Sequence, residues 1–248
     1  MPRPIFVHLL PCLFDPAELR DGVAVVIDVL RATSTIIQAL AAGAECVVPC
    51  GEIDEAWRIM EALPAGSAML GGERHGLPIP GFDLGNSPED YASSLVGGKR
   101  VILTTTNGTR ALIRAKEARR VLVGALSNLS AVAIVLAGET GPVHLVCAGT
   151  DGRPTLEDIL CAGGIARSLH SGGDKFDASD DSTQLAINLY ENCGRDYDRV
   201  LATLRRSRGG RNLIECGLEA DIDWCAEPDR FEFVPELDRE CWEIRAEA

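Results

Sequence analysis

GVAVVIDVLRATSTIIQALAAGAECVVPC, residues 22–50, reads as a buried strand, a polar turn, a helix and a second buried strand. Its strands are continuous runs of Val, Ile and Cys without the polar alternation of a half-exposed sheet. Strands of that kind are buried on both faces, which requires parallel pairing under helices. The same reading extends along the chain. SAMLG (67–71), RVILTTT (100–106), RVLVGA (120–125) and PVHLVCAG (142–149) are strand-length apolar runs. Between them lie segments of helical period: EIDEAWRIMEAL, TRALIRAKEA, SNLSAVAIVLAG and TLEDILCAGGIARSL. The predicted fold class is α/β, a mostly parallel sheet covered by helices on both faces. Sheets of this kind carry ligands beyond the carboxyl ends of their strands, so the residues that directly follow each strand are where chemistry is expected.

Laid over one another, residues 23–76 and 101–158 repeat the order strand, polar turn, helix, strand, helix, strand, Gly-containing loop. This predicts an internal duplication within one domain spanning 1–248. Residues 171–181, SGGDKFDASDD, read as a surface linker ahead of helices near 182–192 and 196–206. The final FEFVPEL reads as an edge strand closing the domain, after a turn and a short helix.

Twenty-four Lys and Arg against 37 Asp and Glu give a formal charge of −13, which argues against nucleic acid or an anionic membrane as partner. The apolar stretch at the start is too short to span a membrane and lacks a small-residue cleavage site. Nine cysteines scattered through apolar segments suit reduced thiols, so a cytoplasmic location is expected. The apolar helix positions in SNLSAVAIVLAG permit a homodimer as readily as a deeper core.

Two strand-end turns carry dense functional chemistry. Thr104 to Arg110 (TTTNGTR) offers Thr105, Thr106, Asn107, Gly108 and Thr109 at a helix start, where free N–H groups and the helix dipole favour an anion, with Arg110 as a forked cation. The bland alternative is a helix cap with Arg110 in solvent. DVLRATS (28–34) places Asp28 as a metal ligand and Arg31, Thr33 and Ser34 toward an anion. Glu73 and Arg74 in GGERHG repeat the pairing of a carboxylate with an arginine, while His75 is expected outside the innermost shell. Glu157 and Asp158 follow CAGTDGRPT, where the dipole alone would also favour acids. Carboxylates without spaced His or Cys pairs point to a hard cation, Mg²⁺, rather than zinc.

DVLRATST, GGERHGLPIPGFDLGNSPEDY, TTTNGTRAL and CAGTDGRPTLEDILCAGGI, in this order across most of the chain, closely resemble the 2-phosphosulfolactate phosphatase family. The resemblance implies a fold peculiar to that family and a Mg²⁺-dependent acid phosphatase. Its substrate would be a small anionic phosphate ester, (2R)-2-phospho-3-sulfolactate, cleaved to 3-sulfolactate and phosphate in coenzyme M biosynthesis. Asp83 and Asn86 in GFDLGNSP then either orient the loop or bind ligand. The working assignment gives Asp28, Glu73 and Arg110 catalytic roles. Metal falls to Asp28 and Glu73 with Glu157 or Asp158, and the anion to Arg31, Arg74 and the threonine loop. Four alternatives stand beside it. Cys147 and Arg153 have the C-x5-R spacing of a cysteine phosphatase. VVIDVL echoes aspartyl-phosphate enzymes, but Leu30 stands where their second Asp belongs. The same residues would also serve a phosphatase for another 2-phospho acid, or a binder that does not cleave.

Overall fold

A computed structural model of the chain describes residues 2–172 and 175–246. Its strands are β1 (Arg3–His8), β2 (Val23–Ile27), β3 (Cys46–Pro49), β4 (Ala68–Arg74), β5 (Leu77–Pro78), β6 (Arg100–Thr104), β7 (Arg120–Gly124), β8 (Val143–Cys147), β9 (Phe176–Asp177), β10 (Pro235–Asp238) and β11 (Glu243–Ala246). Its helices are α1 (Ala32–Ala41), α2 (Ile53–Glu61), α3 (Ser93–Val96), α4 (Gly108–Ala115), α5 (Leu129–Gly138), α6 (Leu156–Ser171), α7 (Asp181–Cys193), α8 (Tyr197–Arg206), α9 (Arg208–Glu215) and α10 (Glu219–Ala226).

The strands form one sheet in the order β5-β4-β6-β3-β11-β10-β7-β2-β8-β1-β9. The expected architecture is present: a large, mostly parallel sheet with helices on both faces. Period-two side-chain alternation makes the two layers. Val23, Val25 and Ile27 of β2 enter the core under α5 to α10, whereas Ala24 and Val26 enter the opposite one with α1 and α4. A third cluster, beneath α2, takes Cys46, Val48, Leu70 and Ile102. Among the described residues no helix is long and apolar enough to cross a membrane.

The two segments flagged as repeats are interleaved. β2 is hydrogen-bonded between β7 and β8, and β6 between β3 and β4. From β4 to β8 the strand order read backwards is the same order with each strand exchanged for its counterpart: β2 for β6, β3 for β7, β4 for β8 and β10 for β11.

The C-terminal strand is not at an edge, a correction to the sequence reading. β10 and β11 form an antiparallel hairpin at the middle of the sheet, pairing with β7 on one side and β3 on the other. Pro235, which has no N–H to donate, suggests an edge, but it stands at the strand's first residue, where the loss is tolerated. β1 was missed at the start of the chain, where it pairs with β8 and β9. The supposed linker holds β9, with residues 173 and 174 outside the described residues, and the predicted single short helix after it is two, α9 and α10.

Three successive antiparallel pairings across the hairpin run the two parallel blocks in opposite directions. Even so, the turns after β2 and β6 meet. Gly108 opens α4 so close to α1 that an added Cβ would lie 2.4 Å from Ala32 Cβ and 2.8 Å from Asp28 Oδ2. This contact needs glycine, and it joins the two turns that sequence chemistry singles out.

Candidate functional site

The meeting point opens into a cleft of about 110 Å³ whose walls include Asp28, Arg31, Glu73, Asn86, Thr106 and Asn107. That is smaller than the several hundred Å³ that enclose a drug-sized ligand, and it suits the head of a small metabolite.

Asp28 closes β2. Its backbone N–H donates to Thr33 Oγ1 at 3.0 Å and its carbonyl accepts from the same hydroxyl at 2.8 Å, which fixes the turn. Its Oδ1 accepts from the Ala32 N–H at 3.3 Å, and Oδ2 faces Gly108. Burial, then the neighbouring charges of Asp158 and Glu73, hold its carboxyl well above the ordinary range. Glu73, at the end of β4, is locked: Oε1 accepts from the Thr106 N–H and Oε2 from the Gly76 N–H, both at 2.7 Å. One carboxylate thus clamps the threonine loop to the glycine turn.

Arg31 is the cleft's buried guanidinium. It donates to Asp221 Oδ2 at 2.5 Å and to the Gly76 carbonyl at 2.8 Å. Asp221 comes from α10, and its other oxygen accepts from the Ser87 hydroxyl. Asp221 escaped the sequence reading because nothing local marks it, and only the tertiary fold brings it to Arg31.

Five expected residues are turned to structural work. Thr105 Oγ1 accepts from the Thr109 N–H at 3.2 Å, and the Thr109 hydroxyl donates back to the Thr105 carbonyl at 2.8 Å, a helix cap. Thr33 fixes the Asp28 turn, and Ser34 donates to the Val29 carbonyl at 2.8 Å. Arg74 points away from the cleft, donating to Thr104 Oγ1 at 2.9 Å and to the Glu73 carbonyl at 2.8 Å. Arg110 is exposed on the outer side of α4, in a shallow groove with Asp15, Arg20 and Arg114. The structure therefore does not bring Arg110 to the anion, because the helix turns it outward one residue after Thr109.

The proposed set of four metal ligands divides in the same way. Asp158 Oδ1 accepts from the Val29 N–H and Oδ2 from the Gly149 N–H, both at 2.9 Å, tying the ends of β2 and β8 together. Burial pushes its carboxyl up to about 6. Glu157 is buried behind the cleft against Gly209 of α9, and burial with the Asp158 charge pushes it up to about 8. Among the described residues no group of three or more His, Cys, Asp or Glu side chains is placed to hold a metal ion; of the four expected carboxylates, Asp28 and Glu73 line the cleft.

His75 lines the cleft after all, with φ at 55°, as does Asp151 with φ at 53°. Left-handed backbone at two residues of one cleft is a recurring mark of functional loops. Thr150, Gly209, Asn212 and Leu213 were also missed. Asp83 orients its loop, accepting from the Leu70 N–H at 2.8 Å, whereas Asn86 faces the cleft. Cys147 is fully buried away from the cleft, and burial, with Asp158 nearby, raises its thiol well above the ordinary value. That removes the basis for a thiolate nucleophile, since only the thiolate attacks.

Fold and cleft define an α/β protein whose reactive groups are two buried carboxylates, a paired guanidinium and a set of hydroxyl and amide groups around a small polar space. The chain belongs to the family described as 2-phosphosulpholactate phosphatase, whose model matches residues 9–240. It is 41% identical over 221 residues, 89% of each chain, to a probable 2-phosphosulfolactate phosphatase of Caldanaerobacter subterraneus subsp. tengcongensis. To proteins of the same name it is 44% identical in a Synechococcus, covering 86% of this chain and 87% of that one, and 42% identical in Deinococcus radiodurans, covering 93% and 92%.

Proposed function

We propose that the protein hydrolyses the phosphate ester of a 2-phospho acid, 2-phospho-3-sulfolactate, to the 2-hydroxy acid and phosphate, in the cytoplasm and with Mg²⁺ as cofactor. The observation that carries the reading is the pairing of Asp28 and Glu73 in a cleft of about 110 Å³ with Thr106, Asn107 and Arg31 on the same walls. Such a substrate carries phosphate, carboxylate and sulfonate, and Arg31 is already paired with Asp221. A divalent cation suits this charge problem: Mg²⁺ binds through one or two carboxylates together with substrate oxygens. Asp28 and Glu73 fit it, Asp28 because one of its oxygens accepts no backbone N–H, Glu73 because two such bonds fix its direction. When bound, the cation neutralises charge on the transferring phosphate oxygens.

The chain's own groups do the rest. The Asn107 side chain and the hydrogen of the Thr106 hydroxyl face the phosphoryl oxygens, and Arg31, held rigid by Asp221 and the Gly76 carbonyl, presents its edge to the acid's remaining anionic groups. A carboxylate of the cleft takes the proton of the attacking water. The mirrored strand order supports a further proposal, that residues 23–76 and 101–158 descend from one duplicated unit and each supplies one wall of the cleft.

The test is phosphate release from phosphosulfolactate, phospholactate and phosphoglycerate, with and without Mg²⁺. Asp28→Asn is expected to lower turnover about a hundredfold or more. Undiminished release in excess EDTA would refute the cation assignment, and binding without release of phosphate from any of the three would leave a non-catalytic binder. Release from phospholactate as fast as from phosphosulfolactate would point to a different 2-phospho acid.

A further inference from the structure

Asn86 combines a rigid backbone with an idle side chain. The loop around it is tied down on all sides. The Tyr91 hydroxyl donates to the Gly85 carbonyl at 2.7 Å, the Thr35 hydroxyl to the Asn86 carbonyl at 2.9 Å, and the Ser87 hydroxyl to Asp221. Tyr91 and Thr35 are themselves buried. Yet the Asn86 side chain, in a residue 3% exposed and lining the cleft, has a buried Oδ1 with no hydrogen-bond partner. Thr106 Oγ1, also in the cleft, is buried and unpaired in the same way.

A buried acceptor left unsatisfied is costly, and structures rarely retain one unless a ligand or water completes it. The missing partner of Oδ1 must be a donor or a cation. Once ionised, the carboxylates sharing the cleft are acceptors, and the Arg31 guanidinium turns to Asp221 and the Gly76 carbonyl rather than to Asn86. Asp28 and Glu73 supply only two side-chain ligands, fewer than a hard cation takes, and neutral amide and hydroxyl oxygens are ordinary members of its shell.

We infer that Asn86 Oδ1 is a ligand to the divalent cation of this cleft, with Thr106 Oγ1 as a second neutral ligand. The inference rests on the proposed cation site but concerns residues outside its carboxylate pair. A preformed amide oxygen adds an attachment without adding negative charge that would repel an anionic substrate.

The experiment is Mn²⁺ binding to the full, substrate-free protein, followed by the electron paramagnetic resonance signal of free Mn²⁺, for wild type, Asn86→Leu, Asn86→Asp, Thr106→Val and Asp28→Asn. Circular dichroism melts of each variant separate lost folding from lost binding. Folded Asn86→Leu is expected to bind Mn²⁺ about tenfold or more weakly, Thr106→Val severalfold more weakly, and Asn86→Asp at least as tightly as wild type, since it keeps the oxygen and adds charge. If Asp28→Asn loses Mn²⁺ while Asn86→Leu and Asn86→Asp both bind like wild type, the inference is overturned and the carboxylate site stands. If Asn86→Asp binds as weakly as Asn86→Leu, the amide was serving through its NH₂ and the inference is again overturned. If wild type itself binds no Mn²⁺, both assignments fall.

Discussion

Replacing Asp221 with alanine strands the Arg31 guanidinium inside the protein. The two side chains are 3% and 4% exposed and their charged atoms are 2.5 Å apart. With an effective dielectric of about 20 the direct attraction is about 7 kcal/mol, most of it cancelled in the wild type by the desolvation of both ions. Removing one partner keeps the desolvation of the other without its compensation, and losses of about 3–5 kcal/mol are usual. The Ser87 hydroxyl, which donates to Asp221, loses its acceptor as well. For a chain of this size each kcal/mol lowers Tm by about 2–4 °C, so Asp221→Ala should melt about 6–20 °C below wild type. The assay is thermal and urea unfolding followed by far-ultraviolet circular dichroism, with the double variant Arg31→Met, Asp221→Leu alongside. The double variant has no buried charge and should recover most of the lost stability. An Asp221→Ala protein that melts within 2 °C of wild type, or a double variant no more stable than the single one, would refute the reasoning.

Other outcomes follow from the same contacts. Arg110→Ala should leave KM and kcat within about twofold, because Arg110 lies outside the cleft; a large rise in KM measured by phosphate release would return it to the anion site. Cys147→Ser should retain turnover, and its complete loss in a folded, Mg²⁺-binding protein would revive a cysteine mechanism. Gly108→Ala pushes a methyl group to 2.4 Å from Ala32 Cβ and should cost about 1–3 kcal/mol in urea unfolding, along with activity through the displaced Asp28. His8 Nε2 and His144 Nδ1 lie 3.0 Å apart, and burial depresses both rings from 6.5 to about 4. The unfolded chain therefore takes up these protons first, so their contribution is intact above pH 6.5 and is lost as pH falls toward 4, by up to about 3 kcal/mol per ring. His8→Phe should narrow the stability difference between pH 7 and pH 4.5 relative to wild type, and equal differences in urea titrations would contradict this.

The sheet was legible because β2, β3, β6, β7 and β8 are each continuous apolar runs, a signal that depends only on burial of both strand faces. β10 was legible as a strand but not in position, since its place between β7 and β11 is set by pairing partners far away in sequence. At the site, Asp28, Arg31, Glu73, Thr106 and Asn107 were found because each directly follows or ends a strand. Arg110 and Arg74 lie near strand ends too but point elsewhere, since composition shows which groups are near a strand end, while helix phase for Arg110 and strand alternation for Arg74 decide which way they face. Asp221 and Asn212 lay beyond reach because α9 and α10 meet the cleft only after the chain has folded back over the sheet.

The interleaved strand order has a consequence for synthesis. β2 leaves the ribosome early, yet both of its hydrogen-bonding edges wait for β7 and β8, residues 120–147, while β3 and β7 wait for the hairpin at the very end of the chain. A nascent chain stopped at residue 100 thus holds an apolar strand open on both sides, a template for wrong pairing. Such non-local pairing also makes for slow folding. The gene is therefore poorly suited to being split into two separately expressed halves, because each half lacks the strands that flank its own first strand.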